Sequence, residues 1–444
     1  MAPQQTALAS AADIAAAVAG AVERQPVVDM HTHLYPPSFG TPLPGKSGKS
    51  DPNGLLLWGI DELLTYHYLV AEVFRVVTPN KLPYEQFWKM TKRQQADHIW
   101  KNLFVERAPI SEACRGVLTT IKKLGLDPAD ATPDGWRKWF DQQDPSDYID
   151  RVMQVANVKS ITMTNPVFDD NERQRWLDNP KVGSDPRFTA VLRIDPLLRD
   201  WPGAAKKLSE WGYRADENLS AASISAAKIF LNDWIGRQKA IYLAVSLPPD
   251  FRYPAEANDP VARAGQTVLE QVVLPVCADH NLPFAMMIGS RLRVNPALRE
   301  AGDMVGKADV QAVVNLCREF PQNRFFVTFL ARENQHEAAV AARKFGNLML
   351  FGCWWFVNNP SLIEEITRMR TELLGTSFIP QHSDARVLDQ LIYKWDHSRK
   401  IIAKVLTDKF NDMAATGRPP TKENIDSTVR LMLAENFERF RTAK

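Results

Sequence analysis

Cysteine is scarce in this chain. Its four residues, Cys114, Cys277, Cys317 and Cys353, lie far apart among 444 positions, and none belongs to a CxxC pair. That spacing argues against a disulfide framework or a thiolate zinc site and fits a reducing compartment. Long apolar runs are missing too, since none approaches the roughly 20 residues that span a bilayer. The Ala-rich start carries Asp13 and lacks the basic stretch and apolar block of a signal peptide. Charge of one sign is also absent: 54 basic residues face 52 acidic ones, a formal net charge of +2. So weak a field points to no nucleic acid and no membrane as partner. Lys89, Lys92 and Arg93 are flanked by Glu85 and Asp97 and read as solvated helix faces. The expected location is cytoplasmic.

What the chain does have is a core. Hydrophobic residues make up 45% and charged ones 24%, the balance of a globular protein. Short apolar, often β-branched runs recur at 26–33, 158–164, 189–194, 240–246, 283–289, 325–330, 348–353 and 377–382. Most are separated by stretches of helical period, such as 303–320, 333–345 and 360–374. Continuous rather than alternating apolar strands between helices predict a parallel sheet covered on both faces. Eight such units predict an α/β fold of the (β/α)8 TIM-barrel type, with an open doubly wound sheet as the alternative.

The rhythm breaks once. Between His33 and Val158 no convincing strand occurs; a Pro/Gly/Ser-rich loop at 36–51 leads into helical segments near 61–77, 84–104 and 111–124. The expected organisation is therefore an N-terminal helix in 1–25, a barrel in 26–40 and 150–444, and a helical insertion in 41–149 over the barrel mouth. The N-terminal helix spans 7–24, with Ser10 and Asp13 near its start. The tail, 421–444, reads as a final amphipathic helix packed on the barrel.

The strongest chemical signal is Asp29-Met30-His31-Thr32-His33. Side chains alternate along a strand, so His31 and His33 point the same way, about 7 Å apart. At the C-terminal end of a barrel's first strand they can hold one divalent cation between them. The second signal is Gln381-His382-Ser383-Asp384-Ala385-Arg386, after the last apolar run. On closure this segment neighbours the first strand, so Asp384 can complete the metal site, leaving positions open for water or substrate. Asp384 can equally cap a following helix. Arg386 has the planar fork that grips a carboxylate.

The ordered set of His31 and His33, His67-Tyr68, Arg193-Ile194-Asp195-Pro196, Gly352-Cys353-Trp354-Trp355-Phe356 and Asp384-Ala385-Arg386 resembles the uronate isomerase (glucuronate isomerase) family of the amidohydrolase superfamily. The set spans nearly the whole chain. The resemblance implies metal-dependent aldose–ketose isomerisation of a hexuronate, glucuronate- or galacturonate-like, by proton transfer from C2 to C1. It implies a divalent metal, Zn2+ first and Mn2+ second, on His31, His33 and Asp384. Asp384, His67, Tyr68 and Arg386 would serve catalysis, with Asp384 or a residue it orients as the base. Arg193, Arg386, His382, Trp354 and Trp355 would bind the small sugar-acid substrate, with only one of the two adjacent tryptophans able to line the mouth. A homo-oligomer is expected, as barrels of this kind often assemble.

The chain departs from the family in two places. Met287 stands where a strand-five histidine is expected, and a thioether neither transfers protons nor binds zinc well. The run 239–249 lacks the polar residues usual for the fourth strand. Two alternatives stay open: a mononuclear hydrolase, lactonase or epimerase of the superfamily, and a catalytically silent carbohydrate-binding barrel.

Overall fold

The computed structural model describes residues 7–8, 10–178 and 184–443. Among the described residues nine strands form, namely β1 (Val27–Thr32), β2 (Val158–Asn165), β3 (Phe188–Arg193), β4 (Leu243–Leu247), β5 (Phe284–Ile288), β6 (Ser290–Arg291), β7 (Met304–Val305), β8 (Phe325–Phe329) and β9 (Leu348–Leu350). β6 and β7 make a small antiparallel hairpin of their own. The other seven pair in parallel in the order β1-β2-β3-β4-β5-β8-β9. The result is an α/β fold built on a curled parallel sheet, in keeping with a TIM-type barrel. Every residue of β4, β5 and β8 is buried. Burial on both faces is why these strands read as unbroken apolar runs.

The eighth apolar run does not become a strand. Pro380 has no N–H to give to a ladder. The Gln381 side chain takes over, its Oε1 accepting from the backbone N–H groups of Cys353 at 2.8 Å and His382 at 3.0 Å. The segment still touches both edges of the sheet. Ile379 donates to Leu350 O at 3.0 Å, Asp384 donates to His31 O at 3.1 Å, and His33 donates to Ala385 O at 2.7 Å.

Inside the curl, Met30, Val191, Tyr242, Ala285, Met287, Phe326 and Phe351 form a small core of their own. Phe437, from the helix Asn436–Thr442, packs against Tyr242 and Phe326 at ring distances of 6.2 and 5.7 Å. The amphipathic tail thus covers one end of the curl as one continuous helical run over 422–442, wound as a π-helix at Leu431–Glu435. The larger core lies between the sheet and the surrounding helices.

The first helix starts at Ala11, where the Ser10 hydroxyl accepts from Asp13 N at 3.1 Å. Residues 1–6 and 9 of the expected N-terminal unit lie outside the described residues. Between β1 and β2 the chain is helical, in seven α-helices rather than the three segments expected. The break that matters falls at Thr65 and Tyr66. Tyr66 is extended, with ψ 144°, so one helix ends at Leu64 and the next starts at His67.

Candidate active site

His31 and His33 leave the C-terminal end of β1 on one side, as their spacing requires. Asp384 meets them from the loop that ties the sheet's two edges together. Its Oδ1 lies 3.5 Å from His31 Nε2 and 3.3 Å from His33 Nε2. The three donor atoms all lie within 4.8 Å of one another. Ligands about 2.0–2.1 Å from a tetrahedral ion stand roughly 3.3 Å apart, so this spacing fits a metal.

The hydrogen bonds say the same. Thr164 Oγ1 gives its one proton to Thr32 O at 2.9 Å. It must therefore accept from His33 Nδ1, 3.0 Å away, which leaves the Nε2 lone pair facing Asp384. Burial lowers the His33 pKa to about 3, so the ring is neutral. Burial alone would raise the Asp384 carboxyl; it stays well below the usual carboxylate range only with a proton or a cation between it and the two imidazoles. A neutral nitrogen lone pair aimed at a carboxylate oxygen needs a cation between them. His31 Nε2 and Asp384 Oδ1 are buried without a hydrogen-bond partner, which is the same deficit seen atom by atom.

Side chains both near and remote in sequence hold Asp384 there. The buried Asp29 carboxylate accepts from Ser383 N at 3.1 Å and from Trp395 Nε1 at 2.8 Å. Lys394 Nζ donates to Ser383 O at 2.6 Å. Asp384 itself takes φ 53°, which a short polar side chain tolerates, and the turn points it into the cavity. It caps no helix, since the next one begins only at Gln390.

The cavity above these three residues holds about 280 Å³ and is lined by His31, His33, Tyr66, His67, Arg193, Asp195, Arg199, Met287, Trp354, Trp355, Asp384 and Arg386, among others. Arg193 forks onto Asp195 at 2.9 and 3.0 Å and donates to Ser246 Oγ at 2.8 Å, so it is both ion-paired and cavity-lining. Arg386 pairs with Glu300 at 2.8 Å. His67 is neutral, its pKa lowered to about 3 by burial and then by the Arg386 charge. Its Nε2 is buried and has no hydrogen-bond partner.

Three expectations need correction. Trp354 and Trp355 both line the cavity, because β9 ends at Leu350 and strand alternation no longer applies. Tyr68 stands one layer back, its ring edge-on to His67 at 4.5 Å, and it does not line the cavity. The cavity tyrosine is its neighbour Tyr66, exposed by the helix break. His382 is fully buried and also absent from the lining; it packs edge-on behind His31 at 5.2 Å. Its approach depends on Gly352, at φ 62°, where a Cβ would fall 1.8 Å from His382 Nδ1.

Asp29, Lys394, Tyr66, Asp195 and Glu300 carry no role in the sequence reading. Asp29 was visible as the third member of the alternating set with His31 and His33. The others announce themselves only through tertiary contacts.

Neither protein-family models nor curated proteins matched the chain. Solved structures did. A glucuronate isomerase from Caulobacter crescentus superposes with a TM-score of 0.71 at 16% identity, over 99% of this chain and 96% of that one. A uronate isomerase from Thermotoga maritima gives 0.72 at 15% identity, over 98% of both chains. At these identities the likeness shows the fold alone. A uronate isomerase from Bacillus halodurans C-125 gives a TM-score of 0.91 at 51% identity, covering 98% of each chain. With identity at that level along almost its whole length, this chain belongs to the uronate isomerase family of enzymes.

Proposed function

We propose that the protein is a metal-dependent sugar-acid isomerase that converts a hexuronate of the glucuronate or galacturonate type from aldose to ketose. The observation that carries this reading is the convergence of His31, His33 and Asp384 at the floor of a cavity walled by arginines and tryptophans. Zinc suits two imidazoles and a carboxylate at this spacing, with manganese as the second candidate. When bound, such an ion supplies positive charge against the negative charge that develops on the sugar oxygens.

The chain's own residues supply the rest. Isomerisation removes the proton at C2 and returns one to C1, while a proton moves between the two oxygens. Asp384, ionised and facing the cavity, takes the C2 proton and delivers it to C1. His67, neutral and with a buried unpartnered nitrogen, moves the hydroxyl proton together with Tyr66. Arg193 and Arg386 bind the carboxylate and hydroxyls, and Trp354 and Trp355 cover the sugar and exclude water. Met287 occupies the place of a histidine, so no second metal ligand or base comes from β5.

We further read the curled sheet and the 377–385 segment as a closed eightfold barrel, with 41–149 as a helical insertion over its mouth. The four cysteines are all free and buried, in keeping with a reducing cytoplasm. The test is a screen of hexuronates, aldonates and lactones with added zinc or manganese, following ketose formation and acid release. Ketose from a hexuronate, abolished by chelation, is the expected result. Acid release from a lactone without any ketose would replace the isomerase by a hydrolase.

A further inference from the structure

Between β5 and β8 the chain leaves the sheet as the β6–β7 hairpin, whose crest is the short helical segment Pro296–Gly302. Leu292, Arg293, Glu300 and Asp303 of this excursion line the cavity. Glu300 Oε2 accepts from Arg386 Nη1 at 2.8 Å. Both side chains also line a neighbouring cavity of about 610 Å³, so their ion pair stands on the partition between the two spaces.

The crest is pinned by Trp88. Trp88 Nε1 donates to Ala297 O at 2.8 Å, and the Arg299 guanidinium lies 4.4 Å from the Trp88 ring. Arg299 takes φ 56° and ψ −126°, a backbone state that costs energy in any residue with a side chain and that the Trp88 contacts hold. The backbone beside Glu300 is therefore fixed, whereas its carboxylate reaches out to Arg386 and is 64% exposed, against 41% for the arginine. A pair this exposed opens easily, since such contacts hold only a few-fold over separated charges.

We propose that Glu300 is an internal stand-in for the substrate's carboxylate, neutralising Arg386 until an anionic sugar displaces it. The inference rests on the sugar-acid reading above. An incoming carboxylate exchanges one ion pair for another. A neutral sugar carries no charge with which to displace Glu300 and leaves the pair in place. Glu300 thus sets the affinity for the anion, by competition for Arg386 rather than by chemistry.

The test uses the metal-loaded protein and two probes titrated calorimetrically: D-gluconate, a sugar acid without a carbonyl to isomerise, and D-glucose. Glu300→Gln is expected to tighten D-gluconate about three- to fivefold and to leave D-glucose unchanged. The gain should shrink at high salt. Unchanged or weaker D-gluconate binding overturns the proposal, and weakening of both sugars together would make Glu300 a hydroxyl ligand instead. Hexuronate turnover by the unaltered protein is measured separately. If it is absent while Glu300→Gln still tightens D-gluconate, the isomerase reading falls and the competitor role stands.

Discussion

Thr164 and His33 are joined by a hydrogen bond that can run in one direction only. The threonine proton is committed to the Thr32 carbonyl, so His33 Nδ1 is the donor and Nε2 carries the lone pair at the metal site. One hydroxyl on β2 thereby sets the tautomer of a ligand on β1.

Thr164→Val removes the acceptor and frees His33 to flip or change tautomer. Metal affinity should fall about 10–100-fold, the range for loss of a group that orients a metal-binding histidine. Competition with a chromophoric chelator measures it; an unchanged affinity would remove Thr164 from the site.

Asp384→Asn keeps the shape and removes the charge that, on the proposed function, opposes the cation and takes the C2 proton. Turnover should drop by about 10²–10⁴-fold even with metal added to saturation. Full turnover with metal still bound would show that another residue is the base.

Gly352→Ala tests the packing beneath the ligands. The added methyl cannot coexist with His382, and the left-handed backbone resists any side chain. The expected cost is about 3 kcal/mol in urea unfolding, with reduced metal content because His31 rests on His382. A variant as stable and metal-rich as the parent would contradict this packing.

Asp389 gives a pH dependence with a definite sign. It is buried at the junction where Tyr148 Oη and Gly59 N donate to it, and burial raises its pKa to about 6. In the unfolded chain an aspartate titrates near 4. Below that pH both states hold the proton and the contribution to stability is fully present. As pH rises towards 6 the unfolded state ionises first, and the contribution is lost, on the order of 3 kcal/mol in all. Relative to Asp389→Asn, the unaltered protein should lose stability between pH 4.5 and 7 in urea titrations. A constant difference across that range would refute the assignment.

Much of this was legible in the residues themselves. Parallel strands buried on both faces cannot avoid being continuous apolar runs, so seven of the eight runs became strands of the main sheet, β1 to β5, β8 and β9. The His-x-His alternation likewise fixed both imidazoles on one side of β1. Asp384 was readable because it follows the last apolar run, and the 379–385 segment bonds to Leu350 at one edge of the sheet and to His31 and His33 at the other.

Tertiary structure decided the rest, and for one reason: regular periodicity predicts direction only while the backbone stays regular. Pro380, the Gln381 side chain and the left-handed turn at Asp384 end the strand pattern, so Asp384 enters the cavity while His382, two residues earlier, lies beneath it. The helix break at Thr65 and Tyr66 exchanges Tyr68 for Tyr66. Asp29 gains its partner Ser383 across 354 residues, Glu300 gains Arg386 across 86 and Lys394 gains Ser383 across 11, and which of these groups meet is settled by how the sheet curls, not by any strand or helix spacing.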